Sequence, residues 1–183
     1  MPWLPGPACL KAADRLHDRR PVASPVSIVP SVLQIVEATE VDDSLLGALQ
    51  RLLPQLSRSS EVPDASELAE ITAAPATRLL IAVGDDGEVL GMLTLALFRI
   101  PTGVRAWIED VVVDARARGR GAGEALTQRA LELASAAGAR TVELTSRPSR
   151  EAANRLYRRM GFEQRDTNVY RYELGERADP RGA

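Results

Sequence analysis

From residue 32 onward the apolar positions switch repeatedly between a strand period and a helix period. Residues 32–38 form a short strand-like run. Asp42, Asp43 and Ser44 then offer capping oxygens to a helix whose apolar positions are Leu45, Leu46, Leu49, Leu52 and Leu53. A second, shorter helix is predicted over residues 65–73. The continuous apolar run at 79–83 suits a strand covered on both faces. Asp85-Asp86-Gly87 marks a hairpin turn into a strand over 89–98, and a Pro101-Thr102-Gly103 loop leads to another over 106–113. A glycine-rich segment, residues 118–123, opens directly into a helix through Leu126, Ala130, Leu133, Ala134 and Ala137, with Gly138 as its stop. A strand follows at 141–145. Pro148-Ser149 starts a helix that ends at Gly161, and residues 169–174 predict a final strand. One more short strand has room after Gly161. The order β-α-α-β-β-β-α-β-α-β describes one α/β domain.

The two ends read differently. Six of the twelve prolines fall within residues 1–30, where no hydrophobic period is sustained. Proline at that density suppresses regular structure, so this segment is expected to be a disordered N-terminal extension. Residues 31–174 then form the domain, and 175–183 a polar tail. A length of 183 residues suits that single domain. Nothing in the chain has the apolar length of a secretory signal or a membrane span, which predicts a cytoplasmic protein with no membrane partner.

Charge and rare residues narrow the chemistry. Lys+Arg number 23 against 25 Asp+Glu, a balance that argues against a nucleic-acid partner. Cys9 and His17 are the only cysteine and histidine. No disulfide can close within one chain, and no Cys/His metal site is expected. A Cys–His pair or a Ser–His–Asp triad is equally unsupported, because its base would sit in the proline-rich extension. What remains is chemistry by carboxylates, tyrosine, backbone amides or a bound cofactor.

The glycine-rich segment carries the strongest signal. In Arg118-Gly119-Arg120-Gly121-Ala122-Gly123, glycines let the backbone approach an anion, and the helix start offers unpaired amides with a partial positive charge. Two common phosphate loops do not fit. A Walker loop needs Lys-Ser/Thr after its last glycine, where Glu124-Ala125 stands here. A dinucleotide fingerprint needs a third glycine where the two possible registers place Glu124 or Leu126.

The segment does match another pattern. Arg118-x-x-Gly121-x-Gly123 resembles the Q/R-x-x-G-x-G/A pyrophosphate motif of the GNAT superfamily of N-acetyltransferases. The run from Ile108 to Asp114 resembles that family's central strand. Arg150-Glu151-Ala152-Ala153-Asn154-Arg155-Leu156-Tyr157, followed by Gly161-Phe162, is similar to its second signature helix. The element order agrees from residue 32 to 174. The resemblance implies the GNAT fold, an α/β (α+β) arrangement of a mixed, mainly antiparallel sheet flanked by helices. It also implies acetyl-CoA as cosubstrate, with no metal. The amides of Arg118, Gly119, Arg120, Gly121, Ala122, Gly123 and Glu124 would hold the pyrophosphate, and Val111, Val112 and Val113 would pair with the pantetheine arm like an added strand.

Glu109 and Asp110 are the candidate bases. Neighbours in a strand point to opposite faces, so one of the two is expected to face a given cleft. Set among Trp107, Ile108 and Val111, either carboxylate is expected to be desolvated, as suits a general base. The Ile-Glu-Asp order resembles that of polyamine and glucosamine-phosphate acetyltransferases, where the first acid serves the acceptor amine. That resemblance assigns the base role to Glu109, with Asp110 beside it in the acceptor site. By its place in the family motif Tyr157 is implied as general acid toward the departing thiolate. Asn154, on the same helical side, is a candidate cofactor contact. Many relatives carry their pantetheine-contacting Asn seven residues before the tyrosine, where this chain has Arg150. Tyr170, on the predicted last strand, is a candidate lining of the acceptor site, as is Tyr172.

The expected activity is therefore direct transfer of acetyl from acetyl-CoA to a primary amine, of a small cationic molecule, by a monomer or homodimer. Two alternatives stand beside it: acetylation of a protein lysine or N-terminal amine, and a non-catalytic acyl-CoA-binding module. Glu109 and Tyr157 together weigh against the second.

Overall fold

The computed structural model describes residues 33–57, 61–172 and 174. The expected extension over 1–30 and the tail over 175–183 lie outside the described residues.

Strands Gln34–Glu37 (β1), Thr77–Val83 (β2), Val89–Ile100 (β3), Gly103–Val113 (β4) and Ala139–Leu144 (β5) form one sheet in sequence order. The first three pairings are antiparallel, and β5 lies parallel to β4. Between β1 and β2 come helices Asp43–Leu56 (α1) and Ala65–Ala73 (α2). A parallel neighbour cannot be reached by a hairpin, and helix Ala122–Ala136 (α3) supplies the crossover between β4 and β5. Helix Glu151–Arg159 (α4) follows β5. The mixed, mainly antiparallel sheet read from the family resemblance is present.

Local chemistry starts the first two helices. Asp42 accepts from the Leu45 amide at 2.7 Å, and Asp64 closes a reciprocal capping box with Glu67. Each helix then turns its leucines to the sheet. Leu45, Leu49, Leu52, Leu53 and Leu68 pack with Leu79, Met92 and Val112 on one face. On the other face Ala122, Leu126, Ala130 and Ala134 of α3 pack with Leu80, Leu93, Leu95 and Ile108. Both faces of β2, β3 and β4 are thus covered, which is why Leu79 to Val83 reads as an unbroken apolar run.

The strands expected after Gly161 do not form among the described residues. Val169, Tyr170, Tyr172 and Leu174 are exposed, Tyr170 to 87%. Alternation of side chains prepares a segment for a sheet, but the ladder also needs a neighbouring strand in register, and no strand among the described residues takes that place. Arg165 ties the stretch to the sheet through a 2.8 Å ion pair to Glu143 of β5.

Candidate active site

The sheet opens at one point. β4 pairs with β3 as far as Val113, but its pairing with β5 ends at Ile108 opposite Leu144. The backbone of β4 beyond Ile108 therefore presents one free edge toward the gap that β5 leaves. Unpaired strand edges are templates for an extended guest. Val111, Val112 and Val113, the residues expected to receive the pantetheine arm, all lie on this edge.

A bulge sits at the mouth of the gap. Met92 faces Val112 and Thr94 faces Glu109, so Leu93 alone opposes Asp110 and Val111. Asp110 takes a φ of 51°, the one positive φ outside glycine among the described residues. Asp is among the few side chains that tolerate this region, and such backbone strain clusters at functional sites. The extra residue inverts the phase of the strand. Ile108 packs against α3, whereas Val112, four residues on, packs against α1. The simple alternation expected of Glu109 and Asp110 is broken here, and both are exposed. The expected desolvation of these carboxylates is absent as well. What holds Glu109 is a neighbour on its own strand: the Trp107 indole N–H donates to its Oε1 at 2.6 Å.

Beyond Val113 the chain runs through a short 3-10 turn, Ala115–Ala117, into the glycine loop. Gly119 and Gly121 take φ of 78° and 85°, which only residues without a Cβ adopt freely. Gly121 is the N-cap of α3 and gives no side-chain cap. Among the described residues no hydrogen bond is made to the amides of Arg118, Gly119, Arg120 or Gly121. A bare helix start with a turn of free amides before it is an anion cradle. A pocket of about 420 Å³ adjoins it, lined by Gly121, Glu124, Ala125, Gln128, Arg159 and Met160. Gly123 serves packing: a Cβ there would meet Leu156 at 3.4 Å and Val113 at 3.7 Å.

Helix α4 lies beside the start of α3, where Leu156 faces Gly123 and Arg159 pairs with Glu124 at 2.7 Å, and it carries Tyr157. The residue is 9% exposed, and its ring stands edge-on to Phe162, with centroids 5.7 Å apart. Burial pushes the Tyr157 phenol above the ordinary tyrosine range, against the opposing pull of the Arg150 guanidinium. The phenol therefore keeps its proton at neutral pH. Asn154 has its amide turned inward to the preceding loop, donating from Nδ2 to the Arg147 carbonyl at 2.9 Å. Arg150, at the start of α4, donates to the Leu56 carbonyl at 2.9 Å and so ties α4 to the end of α1.

Comparison with known proteins now adds to this geometry. The family model described as "Acetyltransferase (GNAT) family" matches residues 45–162. The chain belongs to the GNAT acetyltransferase family. An uncharacterized N-acetyltransferase of Methanocaldococcus jannaschii, MJ1207, is 41% identical over 33% of this chain, a match that spans 27% of that relative's length. A Trypanosoma brucei acetyltransferase shares 25% identity at a TM-score of 0.64, covering 78% of this chain and all (100%) of that one. The aminoglycoside acetyltransferase AAC(6')-Iy, solved with a bisubstrate analogue of CoA and acetylneamine, has the same fold at a TM-score of 0.64. It is 19% identical, with 79% of this chain and 100% of that chain covered.

Several features of this GNAT site were not read from the sequence. Gly91 faces the bulged half of β4, where a Cβ would lie 2.9 Å from the Val112 carbonyl oxygen. Ser146, just beyond β5, has a buried Oγ that is the one buried side-chain polar atom without a partner among the described residues. Asp114, at the end of β4, is only 2% exposed and is held by Arg51 and Arg116. Hydrogen bonds from the Arg116 guanidinium and amide, with help from Arg51, hold its carboxyl well below the usual carboxylate range, outweighing its burial. A glycine at the start of an alternating strand, and an acid placed directly after one, were the available signals. Tyr170, by contrast, lies in the exposed run after Gly161 and belongs to no element that frames the gap.

Proposed function

We propose that this chain transfers the acetyl group of acetyl-CoA directly to a primary amine, with a small cationic molecule as acceptor. The observation that carries this is the free edge of β4 running straight into a bare helix start. One continuous surface thus offers amides first to an extended arm and then to a pyrophosphate. The cradle fits the group. Its glycines take the φ values an inward-turned nest requires, and its amides are unspent. The adjoining pocket beside Gly121 suits the nucleotide end.

When bound, acetyl-CoA supplies an activated thioester. The protein's part is positioning and proton movement. Glu109, held by Trp107, accepts a proton from the acceptor ammonium, directly or through a water, and leaves a neutral amine. The new N–C bond forms as the C–S bond breaks. Tyr157 gives its phenolic proton to the departing sulfur, the acylated nitrogen sheds its extra proton to solvent, and solvent reprotonates the phenol. Asp110 adds negative charge beside the acceptor, which favours a cation. Ser146 Oγ, buried and unpartnered just beyond β5, offers a further hydrogen bond. The exposure of Glu109 and Asp110 also admits an amine on a protein, so the test includes both kinds of acceptor.

The experiment is an acceptor panel of polyamines, aminoglycosides, amino sugars and lysine-bearing peptides, with acetyl-CoA present and free thiol release recorded. Thiol release matched by an acetylated cationic amine is the expected result. Tight acetyl-CoA binding with no release for any amine would make the chain a binding module instead.

A further inference from the structure

Four charged side chains and one amide meet at the base of the glycine loop. Asp114 Oδ2 receives Arg51 Nε at 2.9 Å and Arg116 Nη2 at 3.0 Å. Its Oδ1 accepts the Arg116 amide at 3.0 Å, closing the turn that starts the loop. Arg51 also donates to the Val89 carbonyl at 2.7 Å and lies 3.2 Å from Glu88, which pairs with Arg116 at 2.7 Å. One helical turn beyond Arg51, Gln55 Oε1 accepts the Ala115 amide at 2.8 Å, while its Nε2 donates to the Arg51 carbonyl at 3.0 Å. Two side chains of α1 therefore grip residues 114 and 115, and Arg51 also reaches the start of β3.

Past Ala117 the support ends. The amides from Arg118 to Gly121 have no partner among the described residues, and the one side-chain tether is a 3.4 Å bond from Arg118 Nε to the Val113 carbonyl. The free stretch is thus held only at its two ends, by the clasp at residues 114–115 and by α3, where the Gly121 carbonyl accepts the Ala125 amide, and it takes its entry direction from the clasp. We propose that Arg51 and Gln55 of α1 are positioning residues for the cosubstrate. Through Asp114 and Ala115 they aim the amides of residues 118–121 at the pyrophosphate. This rests on the acetyl-CoA reading of the glycine loop. It adds that α1, far from the loop in sequence, sets affinity for the phosphate portion of the cosubstrate and not for its arm. Arg suits this task because its planar fork can hold a carboxylate and a carbonyl at once, which an ammonium group cannot match.

Two probes separate the parts of the cosubstrate. Acetyl-CoA carries the pyrophosphate, and acetyl-pantetheine carries the arm without it. Binding of each to the full chain is measured by calorimetry for the first and ligand-observed NMR for the second. Arg51→Met is expected to weaken acetyl-CoA at least tenfold while the Kd for acetyl-pantetheine stays within twofold. Gln55→Met, which removes only the grip on Ala115, is expected to weaken acetyl-CoA by about threefold. It keeps the experiment informative if Arg51→Met fails to fold. Arg51→Lys is expected to recover part of the loss, since it restores a charge to Asp114. Equal weakening of both probes would make the clasp a general fold support and overturn the proposal, as would unchanged acetyl-CoA affinity in folded variants. If the parent chain binds acetyl-pantetheine but not acetyl-CoA, or neither, the pyrophosphate reading of the loop falls first and this inference falls with it.

Discussion

Trp107 donates its indole N–H to the Glu109 carboxylate across 2.6 Å, from the same strand and two residues earlier. Residues spaced by two share a strand face, so the pair is fixed by the backbone of β4 with no help from a loop. The contact fixes the direction of an exposed carboxylate that would otherwise sample several rotamers. It also leaves the second carboxylate oxygen available to an acceptor.

Glu109→Gln is expected to lower kcat/KM for the acceptor by about 10²-fold or more, the range for loss of a general base. Trp107→Phe keeps an aromatic ring and loses the donor, with a smaller loss of about tenfold. Steady-state rates with one good acceptor check both. Equal rates in the parent and the glutamine variant would move the base to Asp110 or to solvent.

Tyr157→Phe removes a proton donor from a buried ring and keeps its edge contact with Phe162. Turnover should fall on the order of 10²-fold, while the Kd for acetyl-CoA changes by no more than a few-fold. Comparing kcat with calorimetric Kd decides it. A fully active phenylalanine variant would reduce Tyr157 to a packing residue.

Gly121 takes a left-handed φ, and a Cβ added there would meet nothing within 4 Å. Asn and Asp both fit the space and bear the strain of that φ alike. The pair differs only in charge. Gly121→Asp should bind acetyl-CoA at least about tenfold more weakly than Gly121→Asn, with the gap narrowing as salt is added. Matching affinities at low salt would place the pyrophosphate elsewhere.

Asp114 yields a prediction about acid. Its native carboxyl titrates below the unfolded value of about 3.9. The resulting stability is present above that value and is lost as pH falls below about 4. Asp114→Asn should cost about 3 kcal/mol at neutral pH, as for breaking a buried pair, and should flatten the acid limb of the stability profile. Denaturant titrations at pH 7 and at pH 3 measure both effects. An acid limb identical to that of the parent would assign the pH dependence to other carboxylates.

Much of this architecture was legible from residue patterns. The order of elements through α4, the cap at Asp42 and the glycine loop all follow from local rules, because each involves residues within one turn or one strand. The rest depends on pairing between distant segments. The bulge at Asp110 exists only relative to Leu93 on β3, and no pattern within β4 reveals it. The clasp joins Arg51 to Asp114 across 63 residues of sequence, and Arg51 alone reads as one polar position on a leucine-rich helix. The strand expected over 169–174 shows the converse. Its alternation is real, but whether a sheet edge lies beside it is not a property of the segment itself. Helical spacing locates Asn154 on α4, yet it cannot show that the amide is engaged by its own loop.

The phase inversion in β4 makes chain length a specification in its own right. Before Asp110 the strand's inward residues belong to the α3 layer, and after it the assignments exchange. Deleting a single residue between Glu109 and Val111 would remove the bulge and still leave Val112 toward α1 and Val113 toward α3, because the residue lost is the extra one. Inserting one more beside the bulge would instead send Val112 toward α3 and Val113 toward α1. Every contact beyond that point, including the path into the glycine loop, would be offered to the wrong layer. A substitution at Asp110 alters one side chain, whereas an insertion there re-addresses the whole second half of the strand. Of the two, the miscount is the graver error.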